Sequence, residues 1–381
     1  MSSQIFKITK KSTNSKARNG ILSLPHGEVL TPIFMPIGTV GTVKSLTYED
    51  LNQLEAQIIL GNTYHLWLRP DLEIMQSAGG LHSFSRWDKP ILTDSGGFQA
   101  FSLTKIRKFT EEGVRFQSHL NGETRFLSPE KSMQIQTIIG SDIALVLDEC
   151  LPAEVDHKRA KEAMERTARW AKRSKDEFER LRVEANHNYN LFGIPQGAQF
   201  NDLRVESARL IMDIDFPGYS IGGVANGGEP EEIMYSQVLS QTEILEENKP
   251  KHLLGVGTPK DLVQMVARGI DMFDCVMPTR NARHGSLFVR LDENSYSTIR
   301  IKNERFKSDF SPINPNSKFE VLKNYSKAYL RHLFVANELL YFRLATLYNL
   351  EFYLDFMAEI RTKIENEKFD TWWSEFKELK N

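Results

Sequence analysis

Eight short apolar segments, each running into a polar or glycine-rich end, constrain this chain more than any other feature. They are Ile33-Phe34-Met35-Pro36-Ile37, Ile58-Ile59-Leu60, Pro90-Ile91-Leu92-Thr93-Asp94, Ile143-Ala144-Leu145-Val146-Leu147-Asp148, Leu191-Phe192-Gly193-Ile194-Pro195-Gln196, Tyr219-Ser220-Ile221-Gly222-Gly223, His252-Leu253-Leu254-Gly255-Val256-Gly257 and Met272-Phe273-Asp274-Cys275. Such runs, bounded by Gly, Pro and Asp, read as strands buried on both faces. Most are separated by enough chain for a helix, which predicts a parallel sheet with helical crossovers. Eight units of this kind predict an α/β fold, a modified (β/α)8 TIM barrel, whose reactive groups sit where strands end. Asp94, Asp148 and Asp274 fall there and are the first candidates for chemistry.

Residues 1–31 predict an N-terminal β lid, a hairpin or small sheet with turns at Ser15 to Gly20 and at Pro25-His26-Gly27. The barrel is expected over 32–285. Between 113 and 127, alternating segments flank Asn121-Gly122, a strong hairpin signal, and this hairpin would hang over the active face. Ser128 and Pro129 then read as the cap and first residue of a helix. Residues 286–381 predict a strand and link followed by a helical subdomain. Lys302 to Asn324 reads as irregular. From about Ser326 the chain is expected to be helical to Asn349 and again beyond it, because Tyr329, Leu333, Ala336, Leu340 and Leu344 keep a helical spacing.

A chain of 381 residues, 40% of them apolar, holds one large domain plus an extension. No apolar stretch approaches the roughly 18 residues needed to span a bilayer. The start, Met1 to Lys16, lacks the apolar core of a secretory signal. The two cysteines, Cys150 and Cys275, cannot make a disulfide framework. The expectation is a cytoplasmic protein. A net charge of 48 − 50 = −2 does not announce a nucleic-acid partner. A local basic patch nevertheless follows the eighth strand, at Arg280, Arg283, His284 and Arg290. The helix from about His157 to Arg182 is also rich in Lys and Arg, but its interspersed acids read as a solvated face with paired charges.

Thr93-Asp94-Ser95-Gly96-Gly97-Phe98-Gln99 is the sharpest segment: a buried strand ends in a carboxylate and enters a Gly-Gly turn. Glycines let backbone approach a flat ligand and expose N–H groups; an Asp that merely caps the turn would look the same. Asp148 ends the fourth strand, where a carboxylate can accept paired hydrogen bonds from a purine-like base or cap a helix. Gln196-Gly197 and Gly222-Gly223 offer an amide and bare backbone for a carbonyl oxygen. Asp274 can attack an anomeric carbon with a second carboxyl as acid and base, and Arg280 and Arg283 can hold phosphates. These parts together predict a retaining displacement at a glycosidic carbon in a polyanionic substrate.

At these residues the chain resembles the tRNA-guanine transglycosylases, or queuine tRNA-ribosyltransferases. The likeness runs from Ala17-Arg18-Asn19-Gly20 through Asn62-Thr63-Tyr64-His65-Leu66, Thr93-Asp94-Ser95-Gly96-Gly97 and Asp274-Cys275-Val276-Met277-Pro278-Thr279-Arg280 to Ala328-Tyr329-Leu330-Arg331-His332-Leu333. The resemblance implies exchange of guanine at the tRNA wobble position for a 7-deazaguanine base in queuosine biosynthesis. It makes Asp274 the nucleophile and Asp94 the general acid/base. It assigns base recognition to Asp148, Gln196 and Gly223, with Val224 beside them. Phe98 takes the place of a stacking ring that is usually Tyr, and Leu254 that of an opposite wall that is often Met. Arg280 and Arg283 match contacts to flanking nucleotides. A homodimer is implied, with Tyr325, Tyr329 and His332 near its interface. No organic cofactor is implied, because a covalent enzyme–RNA intermediate preserves the glycosidic bond energy.

Two departures stand out. The family's zinc ligands, three Cys and a His, correspond here to Ser317, Phe319, Leu322 and Tyr348. No tetrahedral site can be built from these, so the expectation is no metal, with the volume either filled by apolar packing or left loose. Asn226 stands in the Val224–Glu229 loop where bacterial members often have Val. Cys150 matches the bacterial type that uses 7-aminomethyl-7-deazaguanine, whereas Asn226 would suit queuine; the choice stays open. Two other readings also stay open: a non-catalytic partner subunit of the family, and a retaining barrel glycosidase acting on free sugars.

Overall fold

The barrel closes through a first strand split by a proline. In the computed structural model, which describes residues 4–102, 107–152, 154–224 and 230–379, Ile33–Met35 pairs in parallel with Met272–Asp274. Past Pro36 the chain continues as Ile37–Gly38 and pairs with Ile59–Gly61. Proline has no N–H for a ladder, so the hydrogen bonding changes partner at that point. Pairing then passes to Ile91–Thr93, Ile143–Leu145 and Asn190–Phe192. A single bridge between Gly193 and Tyr219 leads to Tyr219–Ile221, then Lys251–Leu253 and Met272–Asp274 complete the ring. The eight predicted segments therefore form a (β/α)8 barrel. Its strands are mostly three residues long and almost wholly buried, which is why they read as continuous apolar runs.

The lid is a three-stranded antiparallel sheet, Phe6–Lys11, Arg18–Leu24 and Gly27–Thr31. Its second strand starts at Arg18, inside the segment expected to be a turn. Two carboxylates at the N-terminal ends of barrel strands hold it. Arg18 donates to both oxygens of Asp271, at 2.8 and 2.6 Å, and both side chains are buried. Asp142 accepts the backbone N–H of His26 at 2.9 Å and meets the rings of His26 and His82 at 2.9 and 3.3 Å.

The inserted hairpin pairs Val114–Gln117 with Thr124–Leu127, and Arg107–Phe109 adds a third strand that the sequence did not announce. Its turn is longer than an Asn-Gly pair: Ser118 and Glu123 close it, with Gly122 at φ +72. Tyr64 Oη and His119 Nδ1 lie 2.9 Å apart, tying the turn to the segment after the second strand. Ser128 caps the next helix by accepting from the Lys131 N–H, with Pro129 first inside it. The helix His157–Ala185 buries Ala160, Met164, Thr167, Ala171, Ser174 and Phe178 along one stripe, and its outer charges pair, for example Arg180 with Glu177 and Glu184. Among the described residues, no helix is long and apolar enough to cross a membrane.

Beyond the barrel, Ser286–Asp292 and Ser295–Arg300 form a hairpin joined by Lys377–Glu378. The helical stretch expected from Ser326 to Asn349 breaks before Leu339 instead, giving Lys327–Val335 and Leu339–Glu365. Asn337, at φ +55, turns the chain between them, so Tyr329 ends up 38% exposed rather than on a common core stripe. The link also contains a short helix, Glu320–Asn324. Phe319 and Leu322 are buried in the core of this region, with Tyr348 packed partly against it, and burial pushes the Tyr348 hydroxyl up to about 12. The remaining position, Ser317, belongs to a polar nest that apolar filling did not foresee. The buried Glu351 carboxylate accepts from Ser317 Oγ at 2.9 Å, the Lys318 N–H at 2.5 Å and Asn314 Nδ2 at 3.1 Å. A surface cleft of about 540 Å³ opens beside Tyr348, Glu351 and Asn314.

Two substitutions test this packing. Phe319→Ala is expected to cost about 3–5 kcal/mol as a buried ring deleted from a core. Glu351→Ala is expected to cost at least about 1–3 kcal/mol, because buried donors lose their acceptor. Urea denaturation measures both, and parental stability in Phe319→Ala would mean a loose subdomain.

Candidate active site

The C-terminal ends of the barrel strands bring the three predicted carboxylates to one face. Asp94 follows Ile91–Thr93, and its backbone N–H still bonds to Gly61 at 3.3 Å. Oδ2 accepts from Asn62 Nδ2 at 2.5 Å and Gln99 Nε2 at 2.7 Å, and Oδ1 from the Thr63 N–H at 2.9 Å. Loss of hydration dominates over these donors and pushes the Asp94 carboxyl up to about 6, with the nearby Asp274 charge adding to the rise. A group so placed changes protonation near neutrality, as an acid that later serves as a base must.

Asp148 is buried, and burial raises its carboxyl above the ordinary range. Ser95 Oγ donates to its Oδ1 at 2.8 Å and Gln196 Nε2 to its Oδ2 at 2.7 Å. A carboxylate has about four lone-pair sites, so each oxygen retains capacity for a ligand. Gly97 differs from its expected use: its N–H is taken by Ser95 Oγ at 3.1 Å. What Gly97 provides is room, since a Cβ there would lie 2.7 Å from the Asp148 carbonyl oxygen. The neighbouring Glu149 is buried and bound by Arg159 and Arg166, which makes it structural.

Gln196 lies against Gly222 and Gly223, where a Cβ at Gly223 would come within 2.4 Å of Oε1 and one at Gly222 within 2.8 Å of Nε2. Arg204, fully buried, holds this corner by donating to the carbonyls of Gly222, Gly223 and Ala198 at 3.0, 2.6 and 2.7 Å. Val224 and Cys150 are buried, Leu254 is half-buried and Phe98 is 49% exposed. A ring left half in water at a carboxylate-lined mouth is available to a flat ligand. Asn226 lies outside the described residues.

Asp274 ends the eighth strand with its side chain 11% exposed. His252 Nε2 meets Oδ1 at 2.8 Å, and the Gly255 N–H reaches the same oxygen at 3.3 Å. The adjacent Cys275 thiol is pushed up to about 12 by burial, so it stays a neutral thiol at neutral pH. The helix Met277–Arg283 follows at once and carries Arg280, exposed, and Arg283, half-buried. Burial and then the Arg280 charge lower the Arg283 guanidinium, so an anion bound there relieves like-charge repulsion. Arg290 does not join this patch: it pairs with Glu359 at 2.9 Å and covers the rings of Phe356 and Phe376.

Several residues of this face escaped the sequence reading. Asn62 and Thr63 end the second strand as Asp94 ends the third, so the strand-end rule applied to every strand finds them. Ser95 and Gln99 lie inside the Asp94 motif. Arg204 and His252 carry no such signal, since a lone His in a buried strand more often satisfies a core.

The chain matches the queuine tRNA-ribosyltransferase family over residues 12–381. It is 51% identical over 374 residues to a queuine tRNA-ribosyltransferase of Neisseria gonorrhoeae, covering 98% of each chain. It is 50% identical over 390 residues to one of Delftia acidovorans, covering 98% of this chain and 97% of that one. A third, from Desulforapulum autotrophicum, is 49% identical over 371 residues, or 97% of this chain and 98% of the relative. With the barrel and its carboxylate-lined mouth, these matches place the chain in the queuine tRNA-ribosyltransferase family.

Proposed function

We propose that this protein is a tRNA-guanine transglycosylase, exchanging guanine at the wobble position for a 7-deazaguanine base in queuosine biosynthesis. The observation that carries the reading is the pairing of Asp94 with Asp274 on one face, close enough for the charge of one to act on the other. In this reading Oδ2 of Asp274 forms a bond to the ribose anomeric carbon as the bond to guanine breaks. Guanine leaves with the proton of the Asp94 carboxyl. The Asp94 carboxylate then takes the N9 proton of the incoming base, whose nitrogen displaces Asp274 and restores the starting carboxylate. Asp148 accepts the N–H edge of the base, Gln196 and Gly223 face its carbonyl, and Phe98 and Leu254 flank its plane. Val224 and Cys150 border its seventh position. Arg280 and Arg283 meet the RNA. Of the two bases, Cys150 favours 7-aminomethyl-7-deazaguanine over queuine. Action on tRNA implies a cytoplasmic location. A second copy of the chain is the partner we assign to the surface around Tyr325, Tyr329 and His332; Phe310, Val335 and Leu339, in the same subdomain, are also exposed.

Labelled guanine and bulk tRNA test the function. Incorporation supports exchange; sugar release without incorporation supports a glycosidase, and inertness a non-catalytic subunit. Asp274→Asn is expected to abolish the covalent RNA adduct on a denaturing gel, since an amide is no nucleophile here; an undiminished adduct moves the nucleophile elsewhere.

The pH dependence of the two half-reactions follows from Asp94. Its proton is retained up to about pH 6. Adduct formation, which needs the acid, is expected to slow as pH rises through that value. Resolution by the incoming base, which needs the carboxylate, is expected to slow as pH falls through it. Asp94→Asn should reduce turnover by about 10²–10⁴-fold. Single-turnover rates of each half measure this, and turnover within twofold of the parent removes Asp94 from the role.

We also propose that the protein carries no structural zinc. Ser317, Phe319, Leu322 and Tyr348 offer neither thiolate nor imidazole, and one carboxylate, Glu351, does not make a tetrahedral set. The expected result is no stoichiometric zinc by elemental analysis and a Tm indifferent to strong chelators. One tightly held zinc per chain would overturn this.

A further inference from the structure

Asp274 is held through one oxygen. Both of its hydrogen bonds, from His252 Nε2 at 2.8 Å and the Gly255 N–H at 3.3 Å, fall on Oδ1. Among the described residues none falls on Oδ2. His252 is fully buried in the strand Lys251–Leu253, in register with Ser220 on one side and Met272 on the other. Its second nitrogen, Nδ1, lies 3.0 Å from Ser220 Oγ.

These contacts assign the proton. A neutral imidazole has one donor and one acceptor nitrogen. Facing a carboxylate, Nε2 must be the donor, so Nδ1 accepts from the Ser220 hydroxyl. A protonated ring donates from both nitrogens. Ser220 would then turn its hydrogen away, and a positive charge would lie 2.8 Å from the carboxylate that must attack. The groups around this pair are few. The strand Tyr219–Ile221 presents only the neutral Ser220 hydroxyl, and the strand Met272–Asp274 presents Asp274 itself. Cys275 is a neutral thiol, the Arg280 charge acts on it, and Asp94 acts on Asp274 by charge.

We propose that His252 is a positioning residue that also gives the exchange an acid limit. In its neutral form it fixes Oδ1 so that Oδ2 attacks; on protonation it draws the carboxylate's charge away from the anomeric carbon. The proposal rests on the reading of Asp274 as the nucleophile. Imidazole is the side chain whose ordinary charge change falls between about pH 5 and 8, which is the range the test scans. It runs opposite to the Asp94 effect on the same step, which slows adduct formation as pH rises.

The test is the single-turnover rate of covalent adduct formation by the full chain with bulk tRNA, from pH 5 to 9. His252→Gln keeps an N–H donor but cannot become charged. It is expected to stay within about tenfold of the parent at pH 8 and to lose the decline at acid pH. His252→Phe, with no donor, is expected to be about 10²-fold slower with tRNA Kd unchanged, as a misplaced reacting group is. Ser220→Ala is expected to shift the acid decline, because the neutral tautomer loses its partner; should His252→Phe fail to fold, this variant and His252→Gln carry the test. An acid decline in His252→Gln identical to the parent's overturns the proposal. If Asp274→Asn still forms the adduct, the underlying assignment fails instead. If Asp274→Asn is silent while His252→Gln and Ser220→Ala follow the parent, only the role of His252 is lost.

Discussion

Closure of the parallel ring across the split strand Ile33–Gly38 is the constraint on which the rest of the structure depends. The first half bonds to the eighth strand and the second half to the second strand. Only a closed ring puts Asp274, at the end of the last strand, within electrostatic reach of Asp94, at the end of the third. Because all strands run the same way, the two ends of the barrel are chemically distinct. A carboxylate that precedes a strand lies under the lid, and one that follows a strand lies at the open mouth.

That distinction separates acids that composition cannot tell apart. Burial alone would raise Asp142, but hydrogen bonds from His82, the Ile91 N–H and His26 outweigh it and leave the carboxyl lowered. Asp271 takes two bonds from Arg18 and one from the Lys251 N–H. A buried pair of this kind adds little net stability, yet breaking it strands a charge, so Arg18 and Asp271 specify where the lid docks. At the mouth the balance reverses. Asp94 and Asp148 are raised because donors do not make up for lost water. The unmet demand for hydrogen bonds is what a base and a ribose can satisfy.

The strand ends were legible because a buried strand has few ways to end, and a carboxylate there is conspicuous. The cap at Ser128-Pro129 was legible for the same local reason. What stayed hidden depends on chain brought from afar. The break at Asn337 interrupts a helical spacing that itself runs on unbroken. Arg290 reads as part of a basic cluster until Glu359 and two rings claim it. Arg204 and His252 look like ordinary helix and strand residues, and their roles come only from the partners that tertiary packing supplies. The positions matching the family's zinc ligands told what was missing, and the apolar pair Phe319 and Leu322 told half of what replaced it. Glu351, 34 residues beyond Ser317 and on the helix Leu339–Glu365, could not be paired with a residue of the irregular link by spacing.

The long helix Leu339–Glu365 gives that distant region a mechanical link to the chemistry. Glu351 faces the vacated ligand positions, while Asn349, two residues earlier, donates to the carbonyls of Pro278 and Ser286 at 2.9 and 3.1 Å and accepts from the Phe288 N–H. Tyr341 donates to the Ala282 carbonyl at 2.8 Å, and Tyr353 to that of Gly257 at 2.5 Å. The segment that leaves Asp274 and carries Arg280 and Arg283 is therefore fixed by the same helix whose outer face the Glu351 nest anchors. The Glu351 carboxylate takes three hydrogen bonds, which keep this helix in register. The 27-residue helix has most of its length buried, so apolar packing supplies the bulk of its stability and the nest fixes its rotation. The work of aligning one helix against the segment after Asp274 is shared by the Glu351 nest with Asn349, Tyr341 and Tyr353.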